Sequence, residues 1–113
     1  MAYENLTEEQ LKTQLAELPG WEVRDGWLRR TFHTPGWPHT LMLAQTIAYL
    51  AEAGYHHPDL KLGYATCTVL LQTHKVKGLT MHDIELAKKI TEVALWQPPP
   101  GSALEGNPKK WVH

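Results

Sequence analysis

The chain has 113 residues, 42% of them hydrophobic, and a formal net charge of −1; such values fit one folded domain with one modest core. No run of Lys or Arg exceeds two residues, so charge lends no support to a direct nucleic-acid role or a membrane-surface role. Cys67 is the only cysteine, which excludes an internal disulfide and fits a reducing compartment. The stretch Met1 to Gln10 is polar and lacks a signal-peptide pattern, and no apolar run approaches the roughly 20 residues of a membrane span. The expectation is a soluble, cytoplasmic, single-domain protein.

Thr7-Glu8-Glu9-Gln10 reads as a capping box, with Leu6 and Leu11 as the hydrophobic staple across it. Leu11, Leu15 and Leu18 then form one apolar stripe, and Pro19-Gly20 stops this first helix. Trp21 to Arg24, Asp25-Gly26 and Trp27 to His33 read as a hairpin on a two-residue turn. In that register Val23 faces Leu28, and Glu22 faces Arg29 as an opposite-charge pair. Pro38 suits a first helical turn, and the helical pattern continues to Ala53. Leu43, Ile47 and Leu50 form its apolar stripe, beside a small-residue stripe of Ala44, Ala48 and Ala51 that suits close packing on a helix or subunit.

Leu60 to Gly63 reads as a short strand and Thr66 to Thr73 as a longer one, with Cys67, Val69, Leu71 and Thr73 on one face. Leu70 breaks that alternation and suits a partner surface. Thr80-Met81-His82-Asp83 is another cap with an acidic third position, and Ile84, Ala87, Ile90 and Ala94 carry the third helix to about Leu95. Residues 1–95 thus form the domain. Residues 96–113, with Pro98-Pro99-Pro100 and Pro108, have no helical or strand period and read as an extended or mobile tail. The order α-β-β-α-β-β-α predicts an α+β fold, a four-stranded antiparallel sheet with helices packed on one face.

The chemistry concentrates near Gly54-Tyr55-His56-His57-Pro58. Pro58 forces His57 out of helical geometry, so His56 and His57 lie at a bend, where both imidazoles can border one cleft. If the helix persists to His56, Glu52 sits at i−4 on the same face and can orient it; Gly54 can equally be the C-terminal cap. His74 ends the long strand. Three histidines at element ends favour a site, because imidazole can donate or accept a proton near neutral pH. His33, His39, His82 and His113, taken singly, read as surface residues, and Asp83 reads first as a helix-cap carboxylate. Spacing alone points to an acid–base or a metal site.

Glu52-x-x-x-His56-His57-Pro58, Tyr64, Val69, Leu71, Thr73-His74 and Gly78-Leu79-Thr80-x-x-Asp83 together resemble the pterin-4a-carbinolamine dehydratases. The resemblance runs from Gly20-Trp21 to Leu86-Ala87, about two-thirds of the chain. It implies a lyase without metal or other cofactor that converts 4a-hydroxytetrahydropterin to quinonoid dihydropterin and water, in tetrahydropterin recycling. By the same resemblance His56, His57 and His74 are the site histidines. His57 and His74 are expected to transfer protons and His56 to bind or polarise, with Glu52 and Asp83 binding substrate or orienting the imidazoles.

The resemblance also implies a homodimer joined at sheet edges, or a homotetramer through helices. Its alternative is a non-catalytic binding role, as in relatives that serve as a RuBisCO assembly factor or as a dimerisation cofactor for a transcription factor. A metal hydrolase using the three histidines as ligands is the third reading, weakened because adjacent ligands strain to reach one ion. Thr34-Pro35-Gly36 replaces a more aromatic stretch, the tail after Trp96 lies outside the common pattern, and three single positions depart from it. Leu60 stands where many relatives have an aromatic residue, Tyr55 where an acid is common, and His82 where a basic residue is common.

Overall fold

The computed structural model describes residues 3–113. Its elements are α1 (Glu8–Leu15), β1 (Glu22–Arg24), β2 (Trp27–His33), α2 (Trp37–Gly54), β3 (Asp59–Leu62), β4 (Thr66–Leu71) and α3 (Met81–Ala94). The sheet order is β1-β2-β4-β3, with every neighbouring pair antiparallel. This is the α+β arrangement expected from the pattern.

The capping box at α1 is formed: Gln10 N–H donates to Thr7 Oγ1 at 3.1 Å, and Thr7 N–H donates to Gln10 Oε1 at 2.9 Å. The hairpin also has its predicted register, Val23 opposite Leu28 and Glu22 opposite Arg29. Asp25 and Gly26 hold φ of 53° and 81°, the two left-handed residues that a tight hairpin turn requires. Glu22 bonds Arg24 at 2.6 Å and lies 3.9 Å from Arg29.

Strand alternation places Leu28 and Phe32 of β2 on the same face as Cys67, Val69 and Leu71 of β4, and all five are fully buried. Leu43, Ile47 and Ala51 of α2 and Ile84, Ala87 and Ile90 of α3 complete that core. Burial pushes the Cys67 thiol up to about 11, so this cysteine is no nucleophile at neutral pH. Leu70 faces the other side of the sheet, in register between Arg29 and Asp59.

Two boundaries differ from the pattern. β3 starts at Asp59, and β4 stops at Leu71 where the alternation predicted Thr73. Pro58 has no N–H to give, so the ladder between these strands cannot extend past it. Thr73 instead bridges to Gly78 and closes a small loop.

Beyond Ala94 the chain has neither helix nor strand, yet its end is anchored. Val112 is buried, Trp111 packs against the core with its ring tilted against His39 at 5.4 Å, and His33 and His113 exchange two backbone hydrogen bonds of 3.0 Å. β1 is short and leaves the edge of β2 unpaired past Arg29; the tail covers it at His33. An unpaired strand edge is a liability, and the tail removes part of it.

Candidate functional site

Four pieces of chain meet at one end of the sheet: the exit of α2, the start of β3, the end of β4 and the start of α3. Continuing the β3–β4 register past Asp59 and Leu70 puts His57 level with Gln72 and His56 level with Thr73. The β1–β2 turn lies at the same end, tied by the Gln72 side chain donating to Gly26 O at 3.1 Å.

The exit of α2 decides where His56 and His57 go. Tyr55 takes φ 50°, ψ 46°, its N–H donates to Glu52 O, and His56 N–H donates to Ala51 O. These bonds form a Schellman cap, which needs a left-handed residue that is usually glycine. Here Tyr55 holds it, although Gly54 precedes it. The helix therefore stops short of His56, and Glu52 does not orient that residue. His57 instead folds back over the last turn, and its Nε2–H donates to Glu52 Oε1 at 2.9 Å. Both partners are more than half exposed, so water screens this pair.

His56 has a different setting. Its side chain is 14% exposed, and its Nε2–H donates to Asp83 Oδ1 at 2.6 Å, where Asp83 is fully buried. Oδ2 of Asp83 accepts from Thr73 Oγ1–H at 2.7 Å and from Thr80 N–H at 2.9 Å. Asp83 is thus the helix cap read from the sequence and also the partner of an imidazole. A buried carboxylate is tolerable only with such a set of donors. His74 joins neither carboxylate; its ring meets the edge of Trp27 at 6.0 Å.

Among the described residues His56, His57 and His74 share one end of the sheet, but each has its own partner and no two of their rings are in contact. The imidazole that does lie against His56 is His82, with centroids 5.8 Å apart. His56 and His82 both line a half-open cavity of about 850 Å³, bounded by Leu6 of the N-terminal segment, Leu50 and Gly54 of α2, and Met81 of α3. His82 read as surface from sequence. The available signal was its place between the cap threonine Thr80 and Asp83, which fixes it at a helix start whose side chains point toward the α2 exit. Trp27 was likewise read only as a strand residue. No group of three His, Cys, Asp or Glu among the described residues is placed to share a metal ion.

Comparison with known proteins decides the family. The model of the family described as pterin 4 alpha carbinolamine dehydratase matches residues 4–93. The chain belongs to that family. A relative in Aquifex aeolicus (strain VF5), named "Putative pterin-4-alpha-carbinolamine dehydratase", is 42% identical over 88 residues, covering 78% of this chain and 89% of its own. One of the same name in Nocardia farcinica is 38% identical over 94 residues, covering 83% and 99%.

A crystal structure of a protein described as a transcriptional coactivator/pterin dehydratase from Brucella melitensis superposes with TM-score 0.76 at 30% identity, covering 80% of this chain and 99% of that one. A pterin dehydratase-like protein described as a RuBisCO assembly factor in the alpha-carboxysome superposes with TM-score 0.54 at 16% identity, over 66% and 86%. That last likeness concerns the fold alone. Glu52, His56, His57, His74 and Asp83 all fall within the stretch matched by the dehydratase family, whereas the anchored Trp111 and Val112 lie beyond it.

Proposed function

We propose that this dehydratase-family chain converts a 4a-hydroxytetrahydropterin to quinonoid dihydropterin and water. The observation that supports the reading best is the His56–Asp83 pair at 2.6 Å on the wall of a cavity of about 850 Å³, in a chain of this family. Hydroxide is a poor leaving group, so the 4a oxygen must take a proton as its bond to C4a breaks. The N5 lone pair forms the new C4a–N5 double bond, and a ring N–H gives up its proton to restore neutrality. One donor and one acceptor suffice, and the electron pair never leaves the ring system, so the chemistry calls for neither metal nor redox cofactor.

In this reading His57 and His74, at the same end of the sheet as His56 but outside the lining of that cavity, carry the two proton transfers. Glu52 orients His57 through their 2.9 Å bond, and Asp83 fixes His56 for binding or polarising the substrate. Asp83, an acceptor three times over, holds the imidazole in one orientation at small entropic cost. The working form is a cytoplasmic homodimer or homotetramer. Leu41, Met42 and Tyr49, exposed on an α2 whose stretch from Trp37 to Ala51 bears no Asp, Glu, Lys or Arg, supply apolar surface for it.

The test is the dehydration rate of freshly generated 4a-hydroxytetrahydropterin with and without the protein. Acceleration is expected, peaking near neutrality after the spontaneous rate is subtracted; no acceleration rejects the reading. Light scattering tests the assembly, where a mass near 12.9 kDa rejects it.

A further inference from the structure

The hydroxyl and imidazole protons at the start of α3 can be assigned by counting donors and acceptors. Asp83 Oδ2 accepts the Thr73 Oγ1–H. A hydroxyl has one proton to give, so in its 2.8 Å contact with Thr80 Oγ1 Thr73 can only accept. Thr80 therefore spends its one proton on Thr73. Its oxygen lies 3.1 Å from His82 Nδ1 and has nothing left to donate, so His82 must be the donor there. The same oxygen also caps α3, accepting His82 N–H at 3.2 Å and facing the Asp83 N–H of the capping box. Proton donation runs in one direction, from His82 through Thr80 and Thr73 to Asp83, and from His56 to the other oxygen of that carboxylate.

With Nδ1 carrying the proton, a neutral His82 has an unprotonated Nε2, and no protein group among the described residues bonds it. The ring borders the cavity shared with His56. Its tilt is fixed by Tyr3, which stacks on it at 4.5 Å and 18°, while Lys75 Nζ sits 4.5 Å from the centre of the Tyr3 ring. An orienting bond at one imidazole nitrogen, a stacking partner on its face and a cavity beside it make a prepared hydrogen-bond acceptor.

We propose that His82 is a substrate-binding residue whose Nε2 accepts a hydrogen bond from an N–H or amino edge of the reduced pterin. The inference rests on the dehydratase reading and adds to it a recognition group outside the three strand- and helix-end histidines. It also gives the cavity two imidazoles with fixed and separate duties: His56 held by a carboxylate, His82 held by a hydroxyl.

The experiment compares His82→Asn with His82→Gln. The Asn amide can replace Nδ1–H as donor to Thr80 but presents nothing at the position of Nε2. Gln reaches that position and loses the Thr80 bond. The expected result is a KM for the 4a-hydroxytetrahydropterin raised roughly 3- to 10-fold in His82→Asn, the scale of one hydrogen bond, with a smaller change in kcat. His82→Gln should recover most of the loss. A purely structural role predicts the reverse ranking, with Asn better tolerated, and that ranking would overturn the proposal. Nitrogen NMR of the wild-type ring is the second readout: an Nδ1–H tautomer is expected, with the Nε2 signal moving on addition of a stable 7,8-dihydropterin. An Nε2–H tautomer, or an Nε2 signal indifferent to a dihydropterin that binds, also overturns it. If the wild-type chain neither binds the dihydropterin nor accelerates dehydration, the dehydratase reading itself fails, a result distinct from the two above.

Discussion

Each end of the sheet carries a pair of hydrogen-bonded threonines, half-buried Thr34 with buried Thr40 at one and buried Thr73 with Thr80 at the other, and the two pairs are used differently. At one end Thr40 Oγ1 lies 2.7 Å from Thr34 Oγ1 and has the carbonyls of Tyr64 at 3.0 Å and Gly36 at 3.2 Å as acceptors for its one proton. At the other, Thr80 meets Thr73 at 2.8 Å, and the chain of protons ends on the carboxylate of Asp83. Histidines occur at both ends as well. His33 and His113 are joined through their backbones and His39 lies against Trp111, whereas His56 and His57 each bond a carboxylate. A buried hydroxyl ending on a carbonyl joins segments of chain. One ending on a charge also holds an ionisable ring in place, and that is what sets the two ends apart.

The sharpest way to break this comparison is to remove histidines from each end in turn. His57→Ala and His74→Ala should each lower turnover roughly 10- to 10⁴-fold, the scale of losing a positioned acid or base. His33→Ala and His113→Ala should leave turnover near wild type. Four variants behaving alike would remove the distinction.

Stability sharpens it next. Asp83→Ala strands three donors that the structure buries and should cost about 3–5 kcal/mol in denaturant unfolding. Thr40→Val at the other end loses neutral bonds only, about 1–3 kcal/mol. Equal losses would mean that the charge carries no special weight.

Releasing the tail gives a smaller effect. Val112 is 4% exposed, and Val112→Asp should detach the last residues at a cost of up to about 2 kcal/mol. The His33 amide should exchange faster with solvent while the Thr73 and Thr80 amides keep their protection. Smallest is Tyr55→Gly, which relieves a side chain from the left-handed region and should raise stability by about 1 kcal/mol. A loss there would show that the Tyr55 contact with His57 outweighs the strain.

Legibility in the sequence followed the range of the interactions. Periodicity and local chemistry located the capping boxes at Thr7 and Thr80, the register of the Asp25-Gly26 hairpin and the shared face of Cys67, Val69 and Leu71, because neighbours in sequence determine them. The side of the sheet to which Leu28 and Ile47 point is a matter of period alone. Residue motifs picked out His56, His57, His74, Glu52 and Asp83. They could not show that Glu52 serves His57 and Asp83 serves His56, since that depends on the left-handed turn at Tyr55, a backbone choice that Gly54 seemed better suited to make. His82 was passed over because its partners, Tyr3 and His56, are distant in sequence. Trp111 suggested an anchor, but not that it and Val112 would seat on this chain's own core, for the same reason: proline-rich chain has no period, and its contacts are all with remote elements.

The His33–His113 pair has a bearing on how the molecule assembles. Joining these residues closes a loop of roughly eighty residues, against four or five for the Asp25-Gly26 hairpin, and the entropy of closure grows with the logarithm of that length. The hairpin can form on its own, while the pairing at His33 gains little until β2 is already seated against β4 and α2. Contacts of such long range form late in folding. Trp21, in the core beside Phe32, and Trp111, which the tail lays on that core, are therefore expected to become buried in that order, leaving the edge of β2 open for pairing until the second is seated.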